Sequence, residues 1–463
     1  MVLIMIRELL TSGRNKLEGL DYRLQRLPVT DTNRAYDCMR RSEGLSAFRR
    51  AWWKQSQLES YGALRRYAKL LDHASLCPPR LPHRGITRHP ASAGGPRILM
   101  LRMGHLGDII HLMPTAREIR RQRPDWKLEL ITGPWNRELV ELYDLFDEIH
   151  YWTPDVVQFN RGKRDAVQSP TNERTWIESL SGDGVDVLFC PSVPHFCELP
   201  IIIGTKPDVY VGGEWKIGAD YFPAHTIRTL PFNSRHYEMD AIADFLPLLG
   251  LERPAVRLYW PGRSEVGGRR SEVGINGDRD CSRVQEPRTK HKEQKTKPMV
   301  LIFPGSGWPG KNWLPERFAA LGDELTRRGM SVGIAGAPGE KALCENIAAR
   351  MNHPVEVWAG RLDLRGVADR IAEAVLVVGN DSAPIHIAAA LHVPTLSLWG
   401  PTLPEKWAPR GEQHRAVKSE LCAGCIYWHT SARCQGRPPC MALLPISQVL
   451  KSLHEVNVEA DCA

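Results

Sequence analysis

Nowhere in these 463 residues does an apolar run approach the ~18 residues that a membrane span requires. The chain opens on the apolar string MVLIMI, but Arg7 and Glu8 follow at once. That run is too short for the apolar part of a secretory signal, so a cytoplasmic location is expected. No G-x-G-x-x-G follows the first strand-like segment, which argues against a dinucleotide-dependent dehydrogenase, and the spacing of a P-loop is missing as well. Cysteine does not come in the dense, even set of a disulfide scaffold. The chain has 11 spread along its length, an odd number that reads as reduced thiols. An even spread of positive charge is lacking too. The net charge is +8, yet residues 1–97 hold 18 Lys/Arg against 8 Asp/Glu while the remainder holds 43 against 45. The basic character therefore belongs to an N-terminal extension, and no nucleic-acid-binding motif accompanies it.

Apolar residues at 42% and charged residues at 25% fit a globular chain, and the length suits two or three domains. Residues 1–96 lack strand–helix alternation. Within them, 45–71 carries Phe48, Trp52, Trp53, Leu58, Tyr61, Leu64 and Tyr67 at helical spacing among basic residues, and 77–95 is a Pro/Arg/His/Ser/Gly-rich linker. From residue 97 short apolar strands alternate with helices to about residue 261. Residues 262–297 break the pattern with a repeated RSEVG (263–267 and 270–274) and a charged run too poor in apolar residues to fold alone, so a disordered linker or insertion is expected there. Alternation resumes over 298–463. The expected fold is α/β: two doubly wound parallel-sheet domains that leave a cleft between them, with ligands at the carboxyl ends of the strands.

Five segments carry candidate chemistry, and each has a plain structural reading beside the functional one. Residues 104–108 (GHLGD) join a strand to a helix. Asp108 there is either a helix N-cap or a carboxylate at a strand end acting as general base. Residues 304–313 (PGSGWPGKNW) place Gly305, Ser306 and Gly307 ahead of Lys311. Such a loop rings phosphate oxygens with N–H groups while the lysine adds charge; it also reads as a Gly-Pro turn with a surface lysine. Glu340, just past the strand at 331–335, suits ribose hydroxyls or the positive end of a helix dipole. Residues 379–386 (GNDSAPIH) set Asp381 and Ser382 before a helix with Pro384 in its first turn. The free N–H groups of that turn form a diphosphate site, with Ser382 and Ala383 small enough for a ligand to approach and His386 close by; a capped helix with a core histidine also fits. Finally, Cys422, Cys425, Cys434 and Cys440 could hold zinc, although the second spacing is C-x5-C and structural cysteines are the alternative.

Taken together, residues 98 to about 450 resemble glycosyltransferase family 9, the heptosyltransferases of lipopolysaccharide core assembly. The resemblance rests on LGDIIH with Met113 and Pro114, on PGS with Lys311 and Trp313, on GNDSAPIHIAAA ending in WGP at 399–401, and on the cysteine pattern closing in Cys440 and Met441. It implies a GT-B fold with an acceptor-side domain at 97–261 and a nucleotide-sugar-binding domain at 298–463. It also implies inverting, metal-independent transfer from an ADP-sugar, a heptose in the family's usual case, to a lipopolysaccharide-core or related acceptor. No cofactor is implied beyond that substrate. Asp108 would be the base, Lys311 would neutralise the departing diphosphate, and Glu340 would bind the ribose. Asp381, Ser382, Ala383 and His386 would contact donor phosphates and sugar. Many members carry Thr-Gly where this chain has Ser382 and Ala383, and neither the extension nor the insertion belongs to the common core. The basic extension suits contact with an anionic inner-membrane surface bearing a lipid-linked acceptor, or simply helices packed on the domain. The alternative function is a non-catalytic nucleotide-sugar-binding scaffold acting through that extension.

Overall fold

The computed structural model describes residues 95–153, 173–262, 297–420 and 439–456, apart from positions 183, 193–197, 214–226, 232 and 234. The amphipathic helix and linker expected within residues 1–94, the RSEVG insertion, and Cys422, Cys425 and Cys434 lie outside the described residues. Two compact units emerge, and each is taken by itself.

Unit 1 holds the described residues up to Leu258 together with Gly400–Trp407. Its elements run β1 (Arg97–Leu101), α1 (Leu106–Gln122), β2 (Lys127–Thr132), α2 (Arg137–Tyr143), β3 (Glu148–Tyr151), α3 (Glu173–Leu180), β4 (Val187–Cys190), α4 (Leu199–Gly204), β5 (Val209–Gly213), β6 (Ile227–Leu230) and α5 (Glu238–Ala243). The strands pair in the order β3-β2-β1-β4-β5-β6, all parallel. Ile98, Leu99, Met100 and Leu101 of β1 are wholly buried, as a parallel strand covered on both faces demands. In this order the chain reverses direction between β1 and β4, and the crevice beyond their carboxyl ends is where such sheets bind ligands.

One charged group is sunk into this unit away from that end. Glu129 of β2 is fully buried, and Arg97, Lys127 and His150 surround its carboxylate at 2.8, 2.7 and 3.0 Å. Burial alone would raise its proton affinity, but the hydrogen bonds from His150, Arg97 and Lys127 outweigh that and hold it ionised. Glu129, Glu148 and His150 cluster closely enough to ligate an ion, but two basic side chains already occupy the carboxylate, which makes this an ion-pair network.

Unit 2 holds Tyr259–Trp399, Ala408–Glu420 and the described residues from Met441 on. It contains β7 (Met299–Phe303), α6 (Pro315–Arg327), β8 (Ser331–Ile334), α7 (Lys341–Arg350), β9 (Glu356–Val357), α8 (Leu364–Glu373), β10 (Leu376–Asn380), α9 (Ala383–Ala390), β11 (Thr395–Trp399), β12 (His414–Lys418) and α11 (Ile446–Glu455). Between β11 and β12 in chain order lies the short helix α10 (Pro404–Trp407), which belongs to unit 1. The sheet order is β12-β11-β10-β7-β8-β9, again parallel throughout. It repeats the winding of unit 1, with the reversal between β7 and β10. Local signals set the helix starts: the Asp363 carboxylate accepts the Gly366 N–H at 2.7 Å to cap α8, and Pro384 sits in the first turn of α9.

Candidate functional site

In unit 1 the site begins with a glycine. The loop after β1 turns back so closely that a Cβ on Gly104 would lie 2.4 Å from the Cβ of Asp108 and 2.5 Å from its Cγ. Three hydrogen bonds fix that loop from β2 and the 3₁₀ turn Pro134–Asn136. Trp135 Nε1 and Asn136 Nδ2 donate to the Gly104 carbonyl at 2.9 and 3.0 Å, and Thr132 Oγ1 donates to the Arg102 carbonyl at 2.8 Å. Helix α1 starts at Leu106, so Asp108 is the third residue of the helix and not its N-cap. Its Oδ2 accepts the His105 backbone N–H at 2.8 Å, while Oδ1 faces Arg102 Nη2 at 3.1 Å. The two readings of Asp108 thus meet in one side chain: one oxygen closes the helix start, and the carboxylate remains a quarter exposed.

Behind Asp108 lies a chain of buried charge that the sequence did not disclose. Arg102 Nη2 also donates to Glu238 Oε1 at 2.5 Å, and Glu238 Oε2 meets Lys406 Nζ at 2.5 Å. The three side chains are 6, 8 and 5% exposed. Burial opposes charge on Arg102, but Glu238 and Asp108 together outweigh it and keep the guanidinium protonated. Burial likewise opposes charge on Glu238, and Arg102 and Lys406 overcome it, so its carboxyl stays below the usual range. Beside Lys406, Trp407 stacks on His111 of α1 with centroids 5.7 Å apart, and Tyr237 meets His111 edge-on at the same distance.

In unit 2 the segments at 304–313 and 379–386 come together at the reversal point. Asn380, wholly buried at the end of β10, donates from Nδ2 to the Pro304 carbonyl at 2.6 Å and accepts the Trp313 N–H on Oδ1 at 3.1 Å. This pins both ends of the glycine loop. Ser306 turns inward, its hydroxyl within 2.7 Å of the Trp308 carbonyl and 2.6 Å of Asn312 Oδ1. Lys311 Nζ reaches Asp381 Oδ2 at 3.1 Å, with both side chains mostly buried. Ser382 is the N-cap of α9, but its hydroxyl makes no cap bond and points to the Asn380 carbonyl at 3.2 Å. The first-turn N–H groups beside Ala383 are therefore not engaged by a capping side chain. His386 is buried one turn in.

Glu340 joins the same group. A Cβ on Gly305 would fall 2.0 Å from Glu340 Oε1, and one on Gly336 2.8 Å from Oε2. The two glycines clear the space in which the Glu340 carboxylate lies. Its Oε2 accepts the Ala337 N–H at 2.9 Å, but burial is the larger influence and raises its proton affinity. Gly305, Lys311, Glu340, Asp381 and Ser382 thus form one neighbourhood. Of the four cysteines read as zinc ligands, Cys440 alone is among the described residues, where it is buried.

Solved structures share this architecture. The family 9 glycosyl transferase of Veillonella parvula aligns over 80% of this chain and 99% of its own, with a TM-score of 0.56 at 16% identity. A heptosyltransferase of E. coli solved with ADP aligns over 78% and 99%, with a TM-score of 0.55 at 16% identity. The fold is that of the GT-B glycosyltransferases. Sequence narrows the class: the profile of glycosyltransferase family 9 (heptosyltransferase) matches residues 275–429. Lipopolysaccharide heptosyltransferase 1 of Pseudomonas aeruginosa is 26% identical over 343 residues, 71% of this chain and 86% of that protein. Lipopolysaccharide heptosyltransferase 2 of E. coli K12 is 30% identical over 127 residues, 26% of this chain and 36% of that one. The chain is thus similar to the heptosyltransferases of glycosyltransferase family 9, by the family profile over residues 275–429 and by the Pseudomonas relative over 71% of its length.

Proposed function

We propose that the protein transfers a heptose from ADP-heptose to a lipopolysaccharide-core acceptor in one inverting, metal-independent displacement. The observation that carries this reading is the arrangement in unit 2, where Lys311 and the uncapped start of α9 adjoin the glycine loop. A diphosphate leaving group needs cationic charge and N–H donors where negative charge develops, and both are present there. Glu340, in the space that Gly305 and Gly336 leave clear, suits the ribose hydroxyls. Asp381 holds Lys311 in place, while Ser382, Ala383 and His386 adjoin the phosphates and sugar. On unit 1, Asp108 takes the acceptor hydroxyl's proton as that oxygen attacks the anomeric carbon and the bond to the β-phosphate breaks. The sugar and acceptor follow the names of the relatives, which are lipopolysaccharide heptosyltransferases.

Turnover of ADP-heptose on a heptose-free lipopolysaccharide core tests this reading. Asp108→Asn is expected to lower kcat by about 10²–10⁴-fold while ADP still raises the melting temperature. Full activity in that variant would sink the base assignment. Equal thermal protection by ADP-heptose and UDP-glucose would sink the donor assignment. No helix among the described residues is long and apolar enough to cross a membrane. Attachment through residues 1–97 is the proposed route to a lipid-linked acceptor; flotation that is the same with neutral and anionic liposomes would count against it.

A further inference from the structure

Two carboxylates compete for one nitrogen in unit 1. Arg102 Nη2 lies 2.5 Å from Glu238 Oε1 and 3.1 Å from Asp108 Oδ1, so the tighter contact is to Glu238. Among the described residues nothing accepts from Arg102 Nε, which is buried, so the guanidinium does not grip Asp108 with the Nε side of its fork. A two-point Arg–carboxylate pair is the strong form of this interaction, and it would occupy both oxygens that a base needs. Glu238 is itself fastened from behind by Lys406, and this segment of the charge chain is sealed from solvent while Asp108 is not. Two anions and two cations alternate, which leaves the set neutral.

We propose that Glu238 is a positioning residue for sugar transfer: it holds Arg102 back from full pairing with Asp108, so that the Asp108 carboxylate, with one hydrogen bond to each oxygen, keeps lone pairs for the acceptor's proton. Lys406 keeps Glu238 ionised and in place. The inference rests on Asp108 being the base. Without Glu238, Arg102 has one anionic partner left and closes on it, which weakens Asp108 as a proton acceptor without touching the nucleotide side.

Steady-state kinetics with ADP-heptose and lipopolysaccharide-core acceptor, run beside thermal melts, test it in four variants. Glu238→Gln is expected to lower kcat by at least about ten-fold with the donor KM within about two-fold of wild type. Adding Arg102→Gln to Glu238→Gln is expected to raise kcat above that of the single variant, because the quenching cation is gone. Adding Lys406→Met instead is expected to restore the melting temperature but not kcat, because charge balance returns while Arg102 stays unrestrained. A kcat for Glu238→Gln within about two-fold of wild type overturns the proposal. So does a lower kcat on adding Arg102→Gln, or a kcat that recovers together with the melting temperature on adding Lys406→Met, which is what a purely structural role gives. If Glu238→Gln does not fold, the comparison is made in the Lys406→Met background. The fourth variant, Asp108→Asn, separates the two readings. Its full activity removes the base assignment itself, whereas a dead Asp108→Asn beside a fully active Glu238→Gln/Lys406→Met removes the proposal alone.

Discussion

Asp108 sits where it does because Gly104 has no side chain. A methyl group there would overlap the Asp108 Cβ and Cγ, and the loop cannot recede because Trp135 and Asn136 hold its carbonyl. Gly104→Ala is therefore expected to displace the carboxylate by a fraction of an ångström to an ångström. Misplacement on that scale costs about 10²-fold in turnover, and isothermal titration should find ADP affinity unchanged. The opposite pattern belongs to Gly305→Ala, where the added carbon meets the movable end of Glu340. That substitution should weaken ADP binding measurably while the fold persists. Asp108, Lys311 and Glu340 were legible in the sequence because each stands within a few residues of a glycine-bearing strand end. Glu238 was not, because it lies 136 residues from the arginine it binds and no short pattern spans that distance.

Among the elements, the strand ends do most to shape the site. Asn380 closes β10 and ties together the two ends of the glycine loop through one donor and one acceptor. Asn380→Ala strands a buried carbonyl and a buried N–H, and at about 1–3 kcal/mol for each unsatisfied group the loss should be about 2–6 kcal/mol. Denaturant unfolding measures it, and a loss below ~1 kcal/mol would mean the loop finds other partners. The alternation of apolar strands with helices made the two α/β units readable, since each long helix presents a 3.6-residue period. Helix α5 was missed for the same physical reason. Six residues, Glu238–Ala243, barely exceed one and a half turns, too few for a period to register, and the first of them is the residue that binds Arg102. The start of α1 was misplaced by three residues because glycine weakens a helical signal, yet Gly107 lies within the first turn.

For the whole molecule, acid sensitivity has an identifiable source in unit 2. His414 of β12 is buried, and its ring nitrogen pairs with Thr395 Oγ1 at 2.9 Å. Burial is the main influence and neighbouring His392, Arg415 and His386 add to it, so its pKa falls to about 4. The unfolded chain binds that proton more readily than the folded one. The stabilisation is thus complete above the ordinary histidine range near 6.5 and is lost as pH falls through about 4. Thermal melts between pH 7 and pH 4 should show a shallower decline for His414→Asn than for wild type, and identical slopes would assign the sensitivity elsewhere. The doubly wound α/β character of both units was legible in the strand–helix alternation. That Gly400–Trp407 belongs with unit 1 was not, because chain order gives no hint that a segment after β11 packs on the other unit.

That assignment has a consequence for the order in which the protein is made. A ribosome completes every described strand of unit 1 by Leu230, and Glu238 soon after, but Lys406 emerges only after β7 to β11 of the second unit. Throughout that interval the nascent unit carries a carboxylate made for burial with half of its counter-charge still unsynthesised. A burial of that kind is strongly unfavourable until its partner arrives. A chain released after residue 399 should accordingly be more readily digested by protease within residues 95–258 than the full-length protein. On this account the first unit completes its buried charge pairs only after β7 to β11 of the second have been made.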